Sequence, residues 1–477
     1  MVRRTRVDQI VENVTAMLRA GAYKRGERLP SVRHAAGEHA VSKNTMAEAY
    51  DRLVAEGLLE ARIGSGFYMA HVDLAPRIPE RPHVMEAADV VSLLREQLDQ
   101  HHELRPGDGR PPPSWMEASE LRRHFSGLTA SDAEDVDFGY GSVRGYAPLR
   151  ERLRVMMLDR SISVAPDGLL LTHGANHAFD LIIRHLLEPG DTVFVDDPGY
   201  YPLFAKLTLA KVQIVGIRRG PDGPDLEDLE TKLGQVRPKL FFTQSLAHNP
   251  TGSSLSPACA FGLLQAAERW GFRFVEDDAF ADILPATLPR LAALDQLERV
   301  LYVGTFAKTL SASLRSGFIA GKPPLIAALS DIKMITGVAT SDFVERFIFS
   351  LIQRGHYLRH LRRLRTRLEE ANKRARGEME SLGLTVRASK VAGFYLWVEL
   401  PEGMDEIELS RAAAAESIFL APGQIFRPSR LPGERPAMRV NVAYGADPRF
   451  LSFLSGALAT ARRNGAISVA DLSNGTL

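Results

Sequence analysis

Apolar residues recur three and four apart over residues 6–20, so Val7, Ile10, Val11, Val14, Met17 and Leu18 share one face of an expected helix. Gly21 ends that pattern. Two shorter helices follow at 31–40 and 43–56, and Ser42 stands where a side chain can cap the free N–H groups of the second. The pattern then tightens. Residues 58–62 and 66–69 read as two short strands around Gly64-Ser65-Gly66. Three helices and a hairpin therefore define a first domain at 1–71.

Pro76, Pro79 and Pro82 come next, among polar residues and one modest helix near Val90–Leu98. Residues 72–103 read as a linker, semi-rigid where the prolines cluster. From 104 to 477 strand-like and helix-like stretches alternate. Leu169-Leu170-Leu171, Val193-Phe194-Val195, Leu240-Phe241-Phe242, Phe272–Val275 and Val300–Val303 are apolar runs with no polar alternation. Such runs suit strands buried on both faces of a mostly parallel sheet, which predicts a large α/β domain. The tail after Gly465 is polar and reads as loose.

Composition narrows the setting. No run of about 18 apolar residues occurs, so no membrane span is expected. The single cysteine, Cys259, excludes an intrachain disulfide framework and suits a reducing cytoplasm. Residues 1–70 carry 11 Lys+Arg against 8 Asp+Glu, while the other 407 carry 48 against 50. The asymmetry is mild, and it permits a nucleic-acid contact at the N-terminus.

Gly26–Arg33 (GERLPSVR) precedes Val41-Ser42-Lys43-Asn44-Thr45-Met46, which opens the third helix. A first turn of short polar side chains and a lysine suits phosphates and base edges. Gly64-Ser65-Gly66 forms a wing tip small enough for close approach to a backbone, and Arg62 stands beside it. Taken singly, each feature fits a small protein-binding helical domain equally well. Together they resemble the GntR-type winged helix over residues 20–70. The resemblance implies that Arg33, Ser42, Lys43, Asn44, Thr45, Arg62, Ser65 and Gly66 lie at double-stranded DNA.

The large block carries a second set of motifs. Lys308 follows a strand and small-residue turn (Val303–Lys308), with Thr305 before it and Arg315 seven residues on, suiting an imine with phosphate ligands nearby. Asp277 ends another strand, where a carboxylate points into the crevice that α/β folds use for ligands and can hold a ring nitrogen protonated. Asn249, in His248–Gly252 (HNPTG), can donate to a ring hydroxyl, although Asn-Pro-Thr-Gly is also an ordinary turn. Thr172–Asn176 runs from strand into helix, where Ala175 and Asn176 present N–H groups to an anion. Tyr200 can stack on a ring, and Arg439 on a late strand can pair bidentately with a carboxylate. These are the parts that pyridoxal 5'-phosphate (PLP) requires. No metal site is expected.

In this order the motifs resemble fold-type I aminotransferases over about 104–460, including a glycine-rich loop at Tyr140–Gly145 followed by Leu149-Arg150. With the GntR-like head, the whole chain resembles the MocR/GabR group of regulators. That resemblance implies a PLP-dependent regulator sensing an amino compound or PLP through aldimine chemistry at Lys308. It also implies a domain-swapped homodimer. Two departures stand out. Ala307 replaces a frequent serine, and Ala279 and Phe280 occupy the place of a tyrosine that usually bonds the ring oxygen. They leave Asn249 as the main expected donor and predict poor transamination. The rival readings are a working aminotransferase with an accessory DNA-binding head, a sensor in which free PLP itself is the effector, and a DNA-binding protein with an inert large domain. Arg359, Arg362, Arg363, Arg365 and Arg367 are read as a solvated helix face.

Overall fold

The computed structural model describes residues 6–19, 22–24, 26–62, 64–70, 90–116, 139–387, 391–429 and 434–463. Two units emerge from the contacts, Met1–Arg81 and Pro82–Leu477. Gly21, the proline cluster and the tail after Gly465 lie outside the described residues.

In the first unit, α1 (Arg6–Arg19), α2 (Val32–Glu38) and α3 (Lys43–Ala55) precede β1 (Leu59–Arg62) and β2 (Gly66–Met69). Val7, Ile10, Val14 and Leu18 meet Leu29, Met46, Leu53 and Leu59 in one core. Met17 departs from the expected face and is 42% exposed. Its position is about 100° from Leu18, at the edge of the apolar stripe. α2 is shorter than expected. It starts after Ser31, whose hydroxyl accepts from the His34 N–H, and stops at Glu38 before Ala40 takes a left-handed φ of 51°. β1 and β2 pair antiparallel, and residues 27–29 add to the outer edge of β2 through Leu29 N to Phe67 O and Met69 N to Glu27 O.

The second unit is built on an eight-stranded sheet: β3 (Leu169–Thr172), β4 (Thr192–Asp197), β5 (Gln213–Gly220), β6 (Gly223–Pro224), β7 (Pro238–Thr243), β8 (Arg273–Asp278), β9 (Val300–Thr305) and β10 (Gly317–Ala320). Their order is β3-β10-β9-β8-β7-β4-β5-β6. The central run β9-β8-β7-β4-β5 is parallel, and β10 and β6 join it antiparallel. All residues of β3 and β9 are buried, as expected for strands covered on both faces.

A smaller antiparallel sheet orders β11 (Thr385–Val386), β12 (Tyr395–Glu399), β14 (Ala437–Asn441) and β13 (Ala421–Pro422) as β11-β12-β14-β13. The latter part of the stretch read as linker belongs to this unit. Glu96, on the helix Val90–Asp99, is buried against Arg105, and Leu104 bridges to Ile418.

Candidate functional site

The C-terminal ends of the parallel strands bring the sequence motifs together. β8 delivers Asp277, β7 leads to Gln244 and Asn249, β4 leads to Tyr200, and β9 leads to Lys308. The small sheet adds Arg439 from β14. Asp277 and Tyr200 line one cavity of about 20 Å³ with Gln244, His248 and Phe179. Asp277 Oδ2 accepts from Gln244 Nε2 at 2.6 Å, while its Oδ1 is buried without a partner among the described residues. Burial pushes the Asp277 carboxyl up to about 6, although the Gln244 hydrogen bond pulls the other way. Burial pulls Lys308 down to about 8 against the attraction of Asp108. A share of that amine is therefore free base near neutrality.

The expected anion cup forms where β3 passes into the helix Ala175–Leu186. Gly174, at φ 77°, stands at the N-cap and no side chain caps this end. A Cβ on Gly174 would sit 3.2 Å from the Arg315 guanidinium, which donates to His173 O at 3.0 Å. The cup thus combines a helix N-terminus with an adjacent cation. Asn176 Oδ1 is buried without a partner among the described residues. The Thr305 hydroxyl is engaged with its own turn, donating to Ser316 O and accepting from Ala307 N. Thr305 holds the shape of the lysine turn there.

Asn249 and Arg439, 190 residues apart, meet directly: Arg439 Nη1 donates to Asn249 Oδ1 at 2.9 Å. Arg439 is 1% exposed and lies between the Tyr395 and Phe426 rings, at 4.8 and 4.9 Å from their centroids.

Sequence reasoning missed Tyr395. Its hydroxyl donates to Gly109 O at 2.8 Å, the carbonyl that Lys308 Nζ also contacts. Tyr395 comes from β12 opposite Asn441, a pairing no local pattern reveals. It sits against Phe280, the residue at the expected tyrosine's place, with centroids 5.8 Å apart. Gln244 was missed as well. It orients both Asp277 and Asn249, accepting from the Asn249 N–H at 2.6 Å.

On the first unit, Arg33, Ser42, Lys43 and Asn44 are exposed at the α2–α3 corner. Ser42 caps α3 by accepting from Thr45 N at 3.1 Å, and its hydroxyl also meets Thr45 Oγ1 at 2.8 Å. At the wing, Arg62 lies 4.3 Å over the Tyr68 ring and Ser65 bonds the Tyr68 hydroxyl. Gly66, at φ 109°, packs against Arg28. The arginine row needs correction. Arg359, Arg362 and Arg363 are exposed, whereas Arg365 donates to Ile283 O and Arg367 to Trp115 O, tying their helix to its own unit.

The fold and these two sites define a DNA-reading winged helix joined to a PLP domain of the fold-type I kind. Residues 103–449 match the family Aminotransferase class I and II, and residues 6–69 match Bacterial regulatory proteins, gntR family. The chain is 30% identical over 434 residues to the probable rhizopine catabolism regulatory protein MocR of Rhizobium meliloti, covering 87% of this chain and 85% of that one. It is 26% identical to the HTH-type transcriptional regulator YdfD of Bacillus subtilis, covering 88% and 89%. Among solved structures, the LysN α-aminoadipate aminotransferase of Thermus thermophilus, complexed with N-(5'-phosphopyridoxyl)-L-leucine, aligns at TM-score 0.70 and 27% identity over 77% of this chain and 95% of that one. The chain belongs to the MocR-type regulators, in which a GntR head precedes a class I and II aminotransferase domain, and its cofactor is PLP.

Proposed function

We propose that this regulator senses a small amino compound at Lys308 and converts its arrival into a change in DNA binding. One observation carries the reading: the buried Lys308 amine shares its surroundings with Arg439 and with Asp277, whose Oδ1 has no partner among the described residues. Lys308 would bind the cofactor's aldehyde, Asp277 its ring nitrogen, Asn249 its ring oxygen and Tyr200 its ring face. Ala175, Asn176, Thr305 and Arg315 would hold its phosphate. When bound, PLP supplies an aldehyde that primary amines capture reversibly and a ring that withdraws electrons. The protein's own part is to bury the Lys308 amine so that it loses its proton readily, and to hold Arg439 for a carboxylate. Phe280 offers no hydroxyl here, which favours sensing over efficient amino transfer.

Arg33, Ser42, Lys43, Asn44, Thr45, Arg62, Ser65 and Gly66 form the DNA face. In this reading residues 1–71 are the head, 104–477 the sensor, and the intervening 72–103 joins them. The protein works in the cytoplasm as a domain-swapped homodimer. Exposed apolar residues near the Tyr140 loop support the dimer: Tyr140 is 87% exposed and Ile335 81%.

The test is an absorption spectrum of the PLP-loaded protein against a panel of amines and amino acids, repeated with Lys308→Ala. We expect a band above about 400 nm that depends on Lys308 and shifts with selected amines. A spectrum unaffected by Lys308→Ala would overturn the assignment. Sustained turnover of amino donor with keto acid would replace sensing by catalysis.

A further inference from the structure

We propose that the segment Arg105–Arg110 is an internal stand-in for the ligand's carboxylate, and that Glu96 is the positioning residue tying this strap to the helix that precedes it in sequence. The proposal rests on the amine-sensing reading above and adds what a carboxylate displaces at Arg439 and the path of the signal.

The strap's carbonyls fall on the site groups one after another. Pro106 O accepts from the Asn441 N–H at 2.7 Å, and Gly107 O from Arg439 Nη2 at 2.5 Å. Asp108 O and Arg110 O accept from Asn441 Nδ2 at 2.9 and 2.8 Å. Gly109 O receives Lys308 Nζ and the Tyr395 hydroxyl. Gly107 is needed for this approach, because a Cβ there would lie 2.6 Å from Ala421 N and Leu420 C.

Arg439 shows why a carboxylate is the displacing group. Its Nη1 is taken by Asn249 and its Nη2 by the neutral Gly107 carbonyl, while Nε is buried without a partner among the described residues. The Nε–Nη2 edge of a guanidinium fits a carboxylate bidentately, and a charged acceptor bonds about twice as strongly as a neutral one. A carboxylate therefore outcompetes Gly107 O. A simple amine brings nothing to that edge and leaves the strap in place.

The strap continues into the helix Val90–Asp99. Arg105 Nε donates to Asp108 Oδ2 at 2.9 Å, its Nη2 to Glu96 O at 2.9 Å, and its Nη1 to the Glu96 carboxylate. Glu96 also accepts from His102 N at 3.2 Å, and its carboxylate lies 2.9 Å from His102 Nδ1 and 3.1 Å from His101 Nδ1. Helix and strap are thus one polar unit, and in sequence residues 71–89 separate it from the DNA-reading unit.

The experiment uses the PLP-loaded full chain and three probes: L-alanine, ethylamine and propionate. Amide hydrogen exchange is followed at Gly107 and Asn441, beside the cofactor absorption. L-Alanine should raise exchange at both amides about tenfold. Ethylamine, at concentrations that shift the absorption equally, should leave it unchanged. Gly107→Ala should exchange fast without ligand and bind L-alanine or propionate about tenfold more tightly, since the competing neutral hydrogen bond is gone. In Glu96→Gln, L-alanine should still shift the absorption but no longer alter the rate of tryptic cleavage after Arg77. Equal exchange with L-alanine and ethylamine, or weaker carboxylate binding by Gly107→Ala, overturns the strap. A retained cleavage response in Glu96→Gln overturns the coupling. A cofactor band that no amine shifts defeats the sensing reading instead, and Gly107→Ala still decides the strap through exchange and propionate.

Discussion

At the scale of single residues, the site sets two groups near neutrality by burial. Asp277 is raised to about 6, chiefly by desolvation. In the cofactor-free fold its protonated form contributes stability that is full below the ordinary carboxylate range and is lost as pH rises through about 6. A cationic ring nitrogen held by Asp277, as proposed above, would reverse this above pH 6. The gain in Tm on adding PLP should therefore be larger at pH 8 than at pH 5, by thermal melts of the full chain. Asp277→Asn should flatten that difference and weaken PLP binding about 10- to 100-fold, as expected for losing a charged hydrogen bond. An unchanged pH dependence in Asp277→Asn would show that another group carries it. Lys308, held down to about 8, should capture PLP faster as pH rises through that value, read by stopped-flow absorption. Its turn is fixed from below. Thr309 accepts from the Tyr357 hydroxyl at 2.8 Å, and Tyr357 in turn contacts Asp282.

At the scale of elements, much was legible because caps and periods are local. Ser42 was readable as the cap of α3, and the structure places its hydroxyl on Thr45 N. Ser42→Ala should cost the first unit about 1 kcal/mol, measured by hydrogen exchange of the Met46–Leu53 amides in the intact chain. The apolar runs read as strands became β3, β4, β7, β8 and β9, and their shared polarity put Asp277 and Lys308 at one edge. The arginine row was only half legible. Helical spacing shows that its residues spread around the helix, but not that Ile283 and Trp115 carbonyls await two of them. Reversing Arg359 and Arg362 to glutamate should leave DNA affinity at fixed salt unchanged, while Arg365→Ala should lower stability by about 1 kcal/mol through a lost hydrogen bond.

At the scale of the whole molecule, two units with separate cores share one chain. The larger one leaves Tyr140, Met334, Ile335 and Val338 exposed on neighbouring segments, joined where Lys333 Nζ donates to Val143 O and Thr340 Oγ1. Clustered apolar exposure of this kind suits the dimer interface proposed above. Ile335→Asp should shift the protein from dimer to monomer in sedimentation velocity and weaken binding to paired half-sites. A monomeric parent protein would remove that expectation.

The sequence by itself determined the identities and order of the chemical parts. A winged-helix pattern, a lysine after a strand, an aspartate at a strand end and a strand running into a helix through a glycine are signals spanning a few residues each. Only the tertiary structure decided how they meet. Arg439 reaches Asn249 and Gly107, and Tyr395 reaches the carbonyl beside Lys308, across separations of 190 to 332 residues. Strand pairing and close backbone approach create those contacts. They depend on where distant segments stop in space, which no periodicity along the chain records.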